Sequence, residues 1–281
     1  MDLAVDRLLP SELDAGLRLS TQAGWNQTAA DWQRALDLAP GSIFAGRVDG
    51  RLVATGAVSA IGSTIRWIGL ILVDEAMRGR GYGSVMLDHC LRAARKAGTE
   101  IVGLDASDLG RPIYLKKGFV DVAPIDRWSG VLHVGGDPPD ARELGMGSFD
   151  QIADLDRQAC RTDRGPLLRS LLNQRDAVCL GCYRGQGLDG FAFLLPGRTA
   201  AHLGPAVAKH DTAMEALLGA AARKLGAAPV LLDVLRDEAR SRLLERAGLT
   251  IARRLTRMTL DRGHEVLMGP MVRAAVSFTW G

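Results

Sequence analysis

The apolar positions in the first half of the chain follow two different periods. Short apolar runs predict strands at about Leu3–Leu8, in SIFAGRV and in RLVATGAVSA, and the Asp49-Gly50 pair between the last two is typical of a tight hairpin. IRWIGLILV is apolar throughout, which is typical of a central strand covered on both faces. From about Tyr82 to Ala97 the apolar residues recur at helical spacing, and Gly98 is a natural stop. This half therefore predicts a mixed sheet flanked by helices.

Hydroxyl residues mark predicted helix starts. Ser11 and Thr28 each precede an acid by three residues, and Ser148 precedes Gln151 by three, which is the spacing of a capping box. EIVGLD predicts another buried strand, followed by a short helix that ends near Gly118. WSGVLHV is expected to be the strand that closes this half.

The second half repeats the order of elements. Leu203 corresponds to Ile68, and Asp233 corresponds to Asp105, at offsets of about 128–135 residues. Self-similarity at a fixed spacing indicates a duplicated unit. The fold class predicted is therefore α/β (mixed α+β), with two tandem domains that each have a mixed central sheet flanked by helices. The Gly-, Pro- and Asp-rich segment 135–140 predicts the boundary, which gives a first copy at residues 1–134 and a second copy at 141–281.

Composition excludes several classes of partner. The 281 residues are 47% hydrophobic and 24% charged, with a formal net charge of +3, so neither nucleic acid nor a membrane is expected as a partner. The N-terminus lacks the basic, then apolar, pattern of a secretion signal. With no predicted need for disulfides among the four cysteines, a cytoplasmic location is expected.

Cys179 and Cys182 match a C-x-x-C spacing. No second ligand pair follows at the spacing of a zinc site, so we expect no metal. The surrounding AVCLGCY alternates like a strand, on which these two thiols would face opposite sides. Both cysteines are therefore interpreted as structural.

The segment Arg78-Gly-Arg-Gly-Tyr-Gly83 lies between a buried strand and a helix start. Glycines let the backbone turn tightly and approach a ligand, successive N–H groups converge, and the helix N-terminus favours an anion. Arg78 and Arg80 add positive charge suited to phosphate oxygens. This segment predicts a site for the pyrophosphate of a cofactor.

A dinucleotide site is the main alternative for the same loop. Gly79-Arg-Gly-Tyr-Gly-Ser84 is close to G-x-G-x-x-G, and Asp105 ends the next strand like a ribose-binding acid. Ser84 replaces the third glycine, arginines crowd the turn, and the preceding residues do not begin a βαβ unit. A P-loop is excluded because no Gly-Lys-Ser/Thr follows.

Two motifs resemble those of the GNAT N-acetyltransferase superfamily. The run from Val73 to Gly83 resembles its acetyl-CoA signature, R/Q-x-x-G-x-G/A after a central strand, and Ile113-Tyr-Leu-Lys-Lys-Gly-Phe119 resembles its later Leu-Tyr-x-x-x-Gly-Phe element. The resemblance covers nearly all of residues 1–132, and the second half resembles the same fold without the signature. It implies a tandem-domain subgroup, with acetyl-CoA as co-substrate and direct transfer of the acetyl group to a primary amine, expected to be that of a small molecule.

The resemblance also implies residue roles. Tyr114 is at the position that commonly gives a proton to the departing thiolate. The strand around Leu72 would pair with the pantetheine arm and hold the thioester oxygen through a backbone N–H. The cofactor-binding residues expected are Ile71, Leu72, Val73, Arg78, Gly79, Arg80, Gly81, Tyr82, Gly83 and Ser84.

The usual strand glutamate of the family is missing from residues 66–73. Asp105 is the predicted replacement as general base, because ligands collect at the carboxyl ends of strands; it could equally bind a cationic substrate or cap the next helix. The residues predicted to bind the acceptor are Trp25, Asn26, Trp67, His202 and Asp233.

The second copy has Val207-Ala-Lys-His-Asp-Thr-Ala213 in place of the glycine-rich loop. An aspartate at a helix start repels anions, so no coenzyme A is expected there. A non-catalytic module that binds and senses acetyl-CoA is the alternative function. The sequence leaves the acceptor and the oligomeric state open.

Overall fold

The computed structural model describes residues 2–133, 140–260, 267, 269–277 and 279–281. Their contacts form two compact units, here the first unit (Met1–Leu104 and Trp280) and the second unit (Asp105–Thr279 and Gly281). The predicted boundary at 135–140 falls almost entirely outside the described residues. The division into copies at 1–134 and 141–281 stays a prediction.

The first unit is a mixed sheet with three helices. Its strands follow the order β1-β2-β3-β4-β5, antiparallel as far as β4 and parallel between β4 and β5. The elements are β1 (Ala4–Arg7), α1 (Leu13–Gln22), α2 (Ala29–Leu38), β2 (Ile43–Val48), β3 (Arg51–Ile61), β4 (Ile65–Val73), α3 (Tyr82–Lys96) and β5 (Ile101–Ala106). The predicted hairpin and the predicted long helix are both confirmed.

Small residues let the helices of this unit approach closely. A Cβ on Gly56 of β3 would lie 2.8 Å from the Sγ of Cys90, so α3 packs directly against the sheet. A Cβ on Gly16 of α1 would lie 2.7 Å from the ring of Trp32 in α2. Trp32 is buried, and its indole Nε1 donates to the Ser20 hydroxyl at 3.1 Å.

The second unit contains a longer sheet in the order β12-β6-β11-β10-β9-β8-β7, with β13 paired to β10. The elements are α4 (Arg111–Leu115), β6 (Phe119–Gly130), β7 (Ala141–Leu144), α5 (Phe149–Cys160), α6 (Gly165–Leu172), β8 (Val178–Arg184), β9 (Gly187–Leu195), β10 (Ala201–Ala208), α7 (Asp211–Leu225), β11 (Val230–Leu235), α8 (Glu238–Arg246), β12 (Leu249–Leu260) and β13 (Val272–Ala274).

Strand β6 belongs to the first copy by sequence but pairs with strands of the second. It lies between β11 and β12, antiparallel to both. The strand begins earlier than the predicted WSGVLHV run because several of its polar residues have cross-strand partners. Asp126, for example, accepts from Nε and Nη2 of Arg236, each at 2.7 Å. Alternating hydrophobicity is therefore weak in this strand, although it is central.

The predicted helix starts have mixed outcomes. Thr28 and Asp31 form the expected capping box at the start of α2. The Ser11 prediction is wrong, because Ser11 lies inside a 3-10 turn and α1 begins at Leu13. Ser148 is at the N-cap of α5, but its side chain makes no capping hydrogen bond.

The cysteines are free and buried. Burial raises the pKa of Cys179 to about 12, and burial with the nearby Asp189 carboxylate raises that of Cys182 to about 11, so both thiols stay protonated at neutral pH. In the described part of the chain, no three His, Cys, Asp or Glu side chains are grouped to hold a metal ion. No described helix is both long and apolar enough to cross a membrane.

Candidate active site

Strand β4 carries a bulge in its second half. Thr55 of β3 pairs with Leu72, whereas Ala57 pairs with Gly69, so β4 has one extra residue between these pairs. Leu70 lies in the bulge and has a φ of 53°. Its carbonyl accepts a 2.8 Å hydrogen bond from the Thr55 hydroxyl. A bulge bends a strand and disrupts its pairing locally.

Strands β4 and β5 pair over only a short length. The parallel register covers Ile65 to Trp67 of β4, which face Ile101 to Gly103 of β5. Within the described residues of the first unit, no other strand pairs with this edge of β4 beyond Trp67. The predicted contact residues Ile71, Leu72 and Val73 lie along this unpaired edge, while the other edge of β4 stays paired with β3. An extended ligand with amide groups can pair there as an added strand would.

The loop between β4 and α3 is anchored at its first residue. Asp74 is buried and accepts hydrogen bonds from the Arg18 guanidinium at 2.8 Å and from the Ala76 N–H at 3.2 Å. The Arg18 hydrogen bond and charge hold the pKa of Asp74 below its ordinary value, although burial opposes this. A side chain that is charged and held at two points fixes the direction in which the loop leaves the strand.

Two glycines of the loop have left-handed backbone conformations. Gly79 has a φ of 77° and Gly81 a φ of 81°, and a Cβ on either would meet no atom within 4 Å. Glycine is therefore favoured by the backbone conformation and not by packing. Within the described residues, the N–H groups of Gly79, Arg80 and Gly81 donate to no acceptor. These donors, next to the N-terminus of α3, form a site that favours an anion.

The two arginines of the loop differ in their surroundings. Arg78 is exposed, lies 3.4 Å from Glu75, and donates a weak hydrogen bond to the Val73 carbonyl. Arg80 is exposed and forms no ion pair with any described residue. Tyr82 is buried in a cluster with Val48, so only its backbone can face a ligand in the loop. The Ser84 N–H donates to the Gly81 carbonyl at 3.0 Å.

Asp105 is the next-to-last residue of β5 and the first residue of the second unit, because the division between the units falls within this strand. Its two carboxylate oxygens accept from Nε and Nη2 of Arg257, at 2.9 and 3.0 Å, and both side chains are almost fully buried. Burial raises the pKa of Asp105 above its ordinary value; Arg257 opposes the rise and the carboxylate of Asp233 adds to it.

Asp233 and His202 are the polar residues predicted from the second copy. Asp233 is fully buried, and its carboxylate accepts from Nε and Nη2 of Arg127 at 2.8 Å each. His202 is also buried, with Nε2 3.5 Å from the Ala275 carbonyl. Each aspartate therefore pairs with an arginine on a strand of the other copy, Asp105 with Arg257 of β12 and Asp233 with Arg127 of β6.

The ring of Tyr114, in α4, packs against Phe119 and Gly110. The ring makes an edge-to-face contact with Phe119, 6.0 Å between centroids, and a Cβ on Gly110 would come within 2.8 Å of it. The residue is half-buried. Its role as an acid stays a prediction.

The three residues predicted to bind the acceptor from the first copy have different environments. Trp67 is fully buried, and its ring occupies the space above Gly103, where a Cβ would lie 2.4 Å away. Trp25 and Asn26 are half-buried in the connection between α1 and α2. Their assignment to the acceptor site stays a prediction.

The loop of the second copy has its own side chains at the helix start. His210 caps α7, because its Nδ1 accepts from the Ala213 N–H at 3.1 Å. Its Nε2 lies 2.6 Å from the Asp189 carboxylate. The position that is open in the first copy therefore holds an imidazole and a carboxylate here.

The gap between β10 and β11 is filled by the chain itself. These strands pair only at Ala201 and His202, as β4 and β5 pair only at their beginning. Beyond that point β13 pairs with β10, and the Ala275 N–H donates to the Asp233 carbonyl of β11 at 2.8 Å. A Cβ on Gly204 would lie 2.1 Å from the Ala275 oxygen, so the inserted segment is tightly packed.

Arg127 was not among the site residues predicted from the sequence. The signal was present, because Arg127 and Arg257 are 130 residues apart, within the offset of the repeat. Strand β13 had no such signal, since it has no counterpart in the first copy.

Two family descriptions match the chain in succession. Residues 12–119 match the "Acetyltransferase (GNAT) family", and residues 152–266 match the "Acetyltransferase (GNAT) domain". A curated relative, the holothin acyltransferase of Pseudoalteromonas sp. (strain SANK 73390), is 23% identical over 198 residues. That similarity covers 70% of this chain and 66% of the relative, slightly less than two thirds of its length.

Solved structures share the fold over nearly the whole chain. A candidate acetyltransferase of Pyrococcus horikoshii has a TM-score of 0.85 at 19% identity, covering 99% of this chain and 96% of its own. A tandem GNAT protein from the clavulanic acid biosynthesis pathway has a TM-score of 0.65 at 16% identity, with 92% and 98% covered. A GCN5-related N-acetyltransferase of Sphaerobacter thermophilus has a TM-score of 0.67 at 14% identity, with 98% of each covered. The predicted fold class, with two mixed α/β domains in tandem, is confirmed.

Proposed function

Because the chain belongs to the GNAT superfamily of acetyltransferases and carries two of its domains in tandem, we propose that it is an acetyl-CoA-dependent N-acetyltransferase acting on a small primary amine. The observation that carries the proposal is the loop after β4, with its unsatisfied N–H groups at the start of α3. Five residues would hold the pyrophosphate mainly through their backbone: Gly79, Arg80, Gly81, Tyr82 and Gly83. The side chain of Arg80 would add a charge-assisted contact.

The unpaired edge of β4 would bind the pantetheine arm. The arm contains two amides, and an open strand edge offers N–H and C=O groups in matching alternation. A backbone N–H near Leu72 would stabilise the thioester oxygen as negative charge develops on it. No metal takes part in this proposal.

The chemistry is direct transfer in a ternary complex. The lone pair of a neutral amine attacks the thioester carbon, and the C–S bond breaks as the amide forms. Tyr114 gives its proton to the departing thiolate. A phenol stays protonated at neutral pH and is a suitable donor to a thiolate of similar basicity.

Asp105 is the proposed acceptor of the amine proton. The rise of its pKa by burial strengthens it as a base. Each carboxylate oxygen has a second lone pair besides the one directed at Arg257. His202 and Asp233, together with Trp25, Asn26 and Trp67, remain proposed contributors to the acceptor site.

We also propose one cofactor site per chain. In the second copy β13 occupies the gap between β10 and β11, and His210 with Asp189 occupies the helix start. Both observations support a second copy that braces the enzyme and binds no coenzyme A.

The test is a thiol-release assay with acetyl-CoA and a library of amines, together with calorimetry of acetyl-CoA. We expect a stoichiometry of one and thiol release with at least one amine. Y114F is expected to lower kcat by about 10²-fold or more, as for loss of a general acid, with an unchanged Kd for acetyl-CoA. Binding without thiol release from any amine would instead assign the protein as an acetyl-CoA sensor. Full turnover by Y114F would remove the acid assignment alone.

A further inference from the structure

A half-buried arginine of the second unit forms no ion pair or hydrogen bond with the residues that the structure describes. Arg253 lies in β12, and within the described part of the chain it donates no hydrogen bond and forms no ion pair. The other two arginines on this face of β12 and β6 are paired, Arg127 with Asp233 and Arg257 with Asp105. A partly desolvated guanidinium without a counter-charge is uncommon unless a ligand supplies one.

The register of three adjacent strands puts Arg253 in a row of charges. Asp233 of β11 and Arg253 of β12 are both directly opposite Arg127 of β6. Residues directly opposite each other in antiparallel strands project from the same face of the sheet. Ile125, Leu235 and Leu255 lie two residues further along the same three strands. They project from the same face and pack together in a buried cluster.

This row contains one negative and two positive groups. Asp233 neutralises Arg127, because both of its oxygens accept from that guanidinium at 2.8 Å. Arg253 is then directly opposite a guanidinium whose carboxylate partner is already engaged, so the row keeps one net positive charge that a further anion would neutralise. Consistent with this, burial and then the charge of Arg127 lower the pKa of Arg253, while Asp233 and Asp108 oppose the decrease.

Arg253 lies on the same face of β12 as Arg257, which holds Asp105 near the end of β5. Asp108, whose charge reaches Arg253, comes two residues after Ala106, where β5 ends. Asp105, the proposed base, is the next-to-last residue of the same strand. An anion on Arg253 would therefore be near the segment where the amine is proposed to lose its proton.

We propose that Arg253 binds a carboxylate of the acceptor, so that the acceptor is an amine that also carries a carboxylate, as an amino acid does. The inference rests on the N-acetyltransferase function proposed above. A guanidinium presents two parallel N–H donors that match the two oxygens of a carboxylate. Such a contact orients the acceptor and distinguishes it from a simple amine. Coenzyme A is another source of anionic groups, and the experiment separates the two.

The experiment compares each of the twenty L-amino acids with its own carboxamide in the thiol-release assay. We expect at least one amino acid to exceed its carboxamide in kcat/KM by about 10- to 100-fold, the range for a charge-assisted contact. R253Q is expected to abolish that preference. R254Q is the matched control, because Arg254 is exposed, is next in the chain, and projects from the opposite face.

Two further measurements keep the outcomes distinct. Calorimetry with N-acetyl amino acids, which keep the carboxylate, is expected to show binding to the unaltered protein and at least 10-fold weaker binding to R253Q, whether or not turnover occurs. The Kd for acetyl-CoA is expected to be the same for R253Q and R254Q. Amine turnover without a carboxylate preference, equal binding of N-acetyl amino acids by R253Q, or a loss of acetyl-CoA affinity in R253Q would each overturn the inference. Absence of thiol release with every amine would overturn the proposed function and leave the binding result to decide the inference.

Discussion

The loops that follow β4 and β10 have the same place in the two copies but opposite chemistry. After β4 the chain has two glycines with positive φ, N–H groups that find no acceptor among the described residues, and an open strand edge. After β10 the helix start is capped by His210 and the strand edge is covered by β13. One fold can therefore offer an anion site or fill it internally, depending on a few side chains and one additional strand.

The largest effect is expected from a side chain placed on the open loop after β4. G81V should weaken acetyl-CoA binding by about 100-fold, because a β-branched residue disfavours a φ of 81° and displaces N–H donors worth about 1.5–3 kcal/mol each. Calorimetry measures the Kd. G50V is the matched control, since Gly50 has a φ of 78° and open space around it but lies in the β2–β3 turn. Equal losses in both variants would mean that strain alone, and not the loop, decides binding.

A second prediction concerns the packing of the β13 segment in the gap between β10 and β11. G204A puts a methyl group 2.1 Å from the Ala275 oxygen, so the second unit should lose about 1–3 kcal/mol of unfolding free energy through overpacking. Chemical denaturation measures this loss. G145A should change it little, because a Cβ there meets nothing within 4 Å. If G204A were as stable as G145A, the tight packing of this segment against β10 would be wrong.

The smallest effect is expected from removing the charge of Asp189, the carboxylate beside His210 in the second copy. Burial raises the pKa of Asp189, but the hydrogen bond and charge of His210 and the nearby cations lower it more, so the net pKa is below the ordinary value of 3.8. A carboxyl with a lowered folded pKa stabilises the protein above its unfolded pKa, and this contribution disappears as the pH falls through the folded pKa. D189N should therefore cost about 1 kcal/mol near neutral pH and progressively less in acid.

Denaturation curves across pH values check the Asp189 prediction. D150N is the control, because Asp150 is exposed and has no ion pair with any described residue. A D189N loss that stays constant into acid would show that Asp189 acts by packing and not by charge.

Much of the fold could be predicted from periodicity. In the β2–β3 hairpin, in β4 and in α3, the apolar positions that predicted each element are the ones that the fold buries. The local pattern therefore agrees with the packing. Ser11 failed as a cap because Glu12 instead accepts from the Leu9 N–H and a 3-10 turn precedes α1. Strand β6 was placed too late because its charged residues pair with residues in β11 or directly after it, Arg127 with Asp233 and Asp126 with Arg236.

The features of the candidate site also divide into those that the sequence predicted and those seen only in the structure. The sequence by itself determined the glycine-rich loop, because glycine and arginine at these positions carry their conformational and electrostatic consequences locally. It also determined the repeat, and with it the correspondence of Asp105 and Asp233. Three features became visible only in the folded chain: the pairing of these aspartates with Arg257 and Arg127, the absence of an ion pair on Arg253 among the described residues, and the filling of the second gap by β13. Those facts depend on which strands become neighbours, and the partners are more than a hundred residues apart in the case of the ion pairs. A local pattern cannot encode neighbours at that distance.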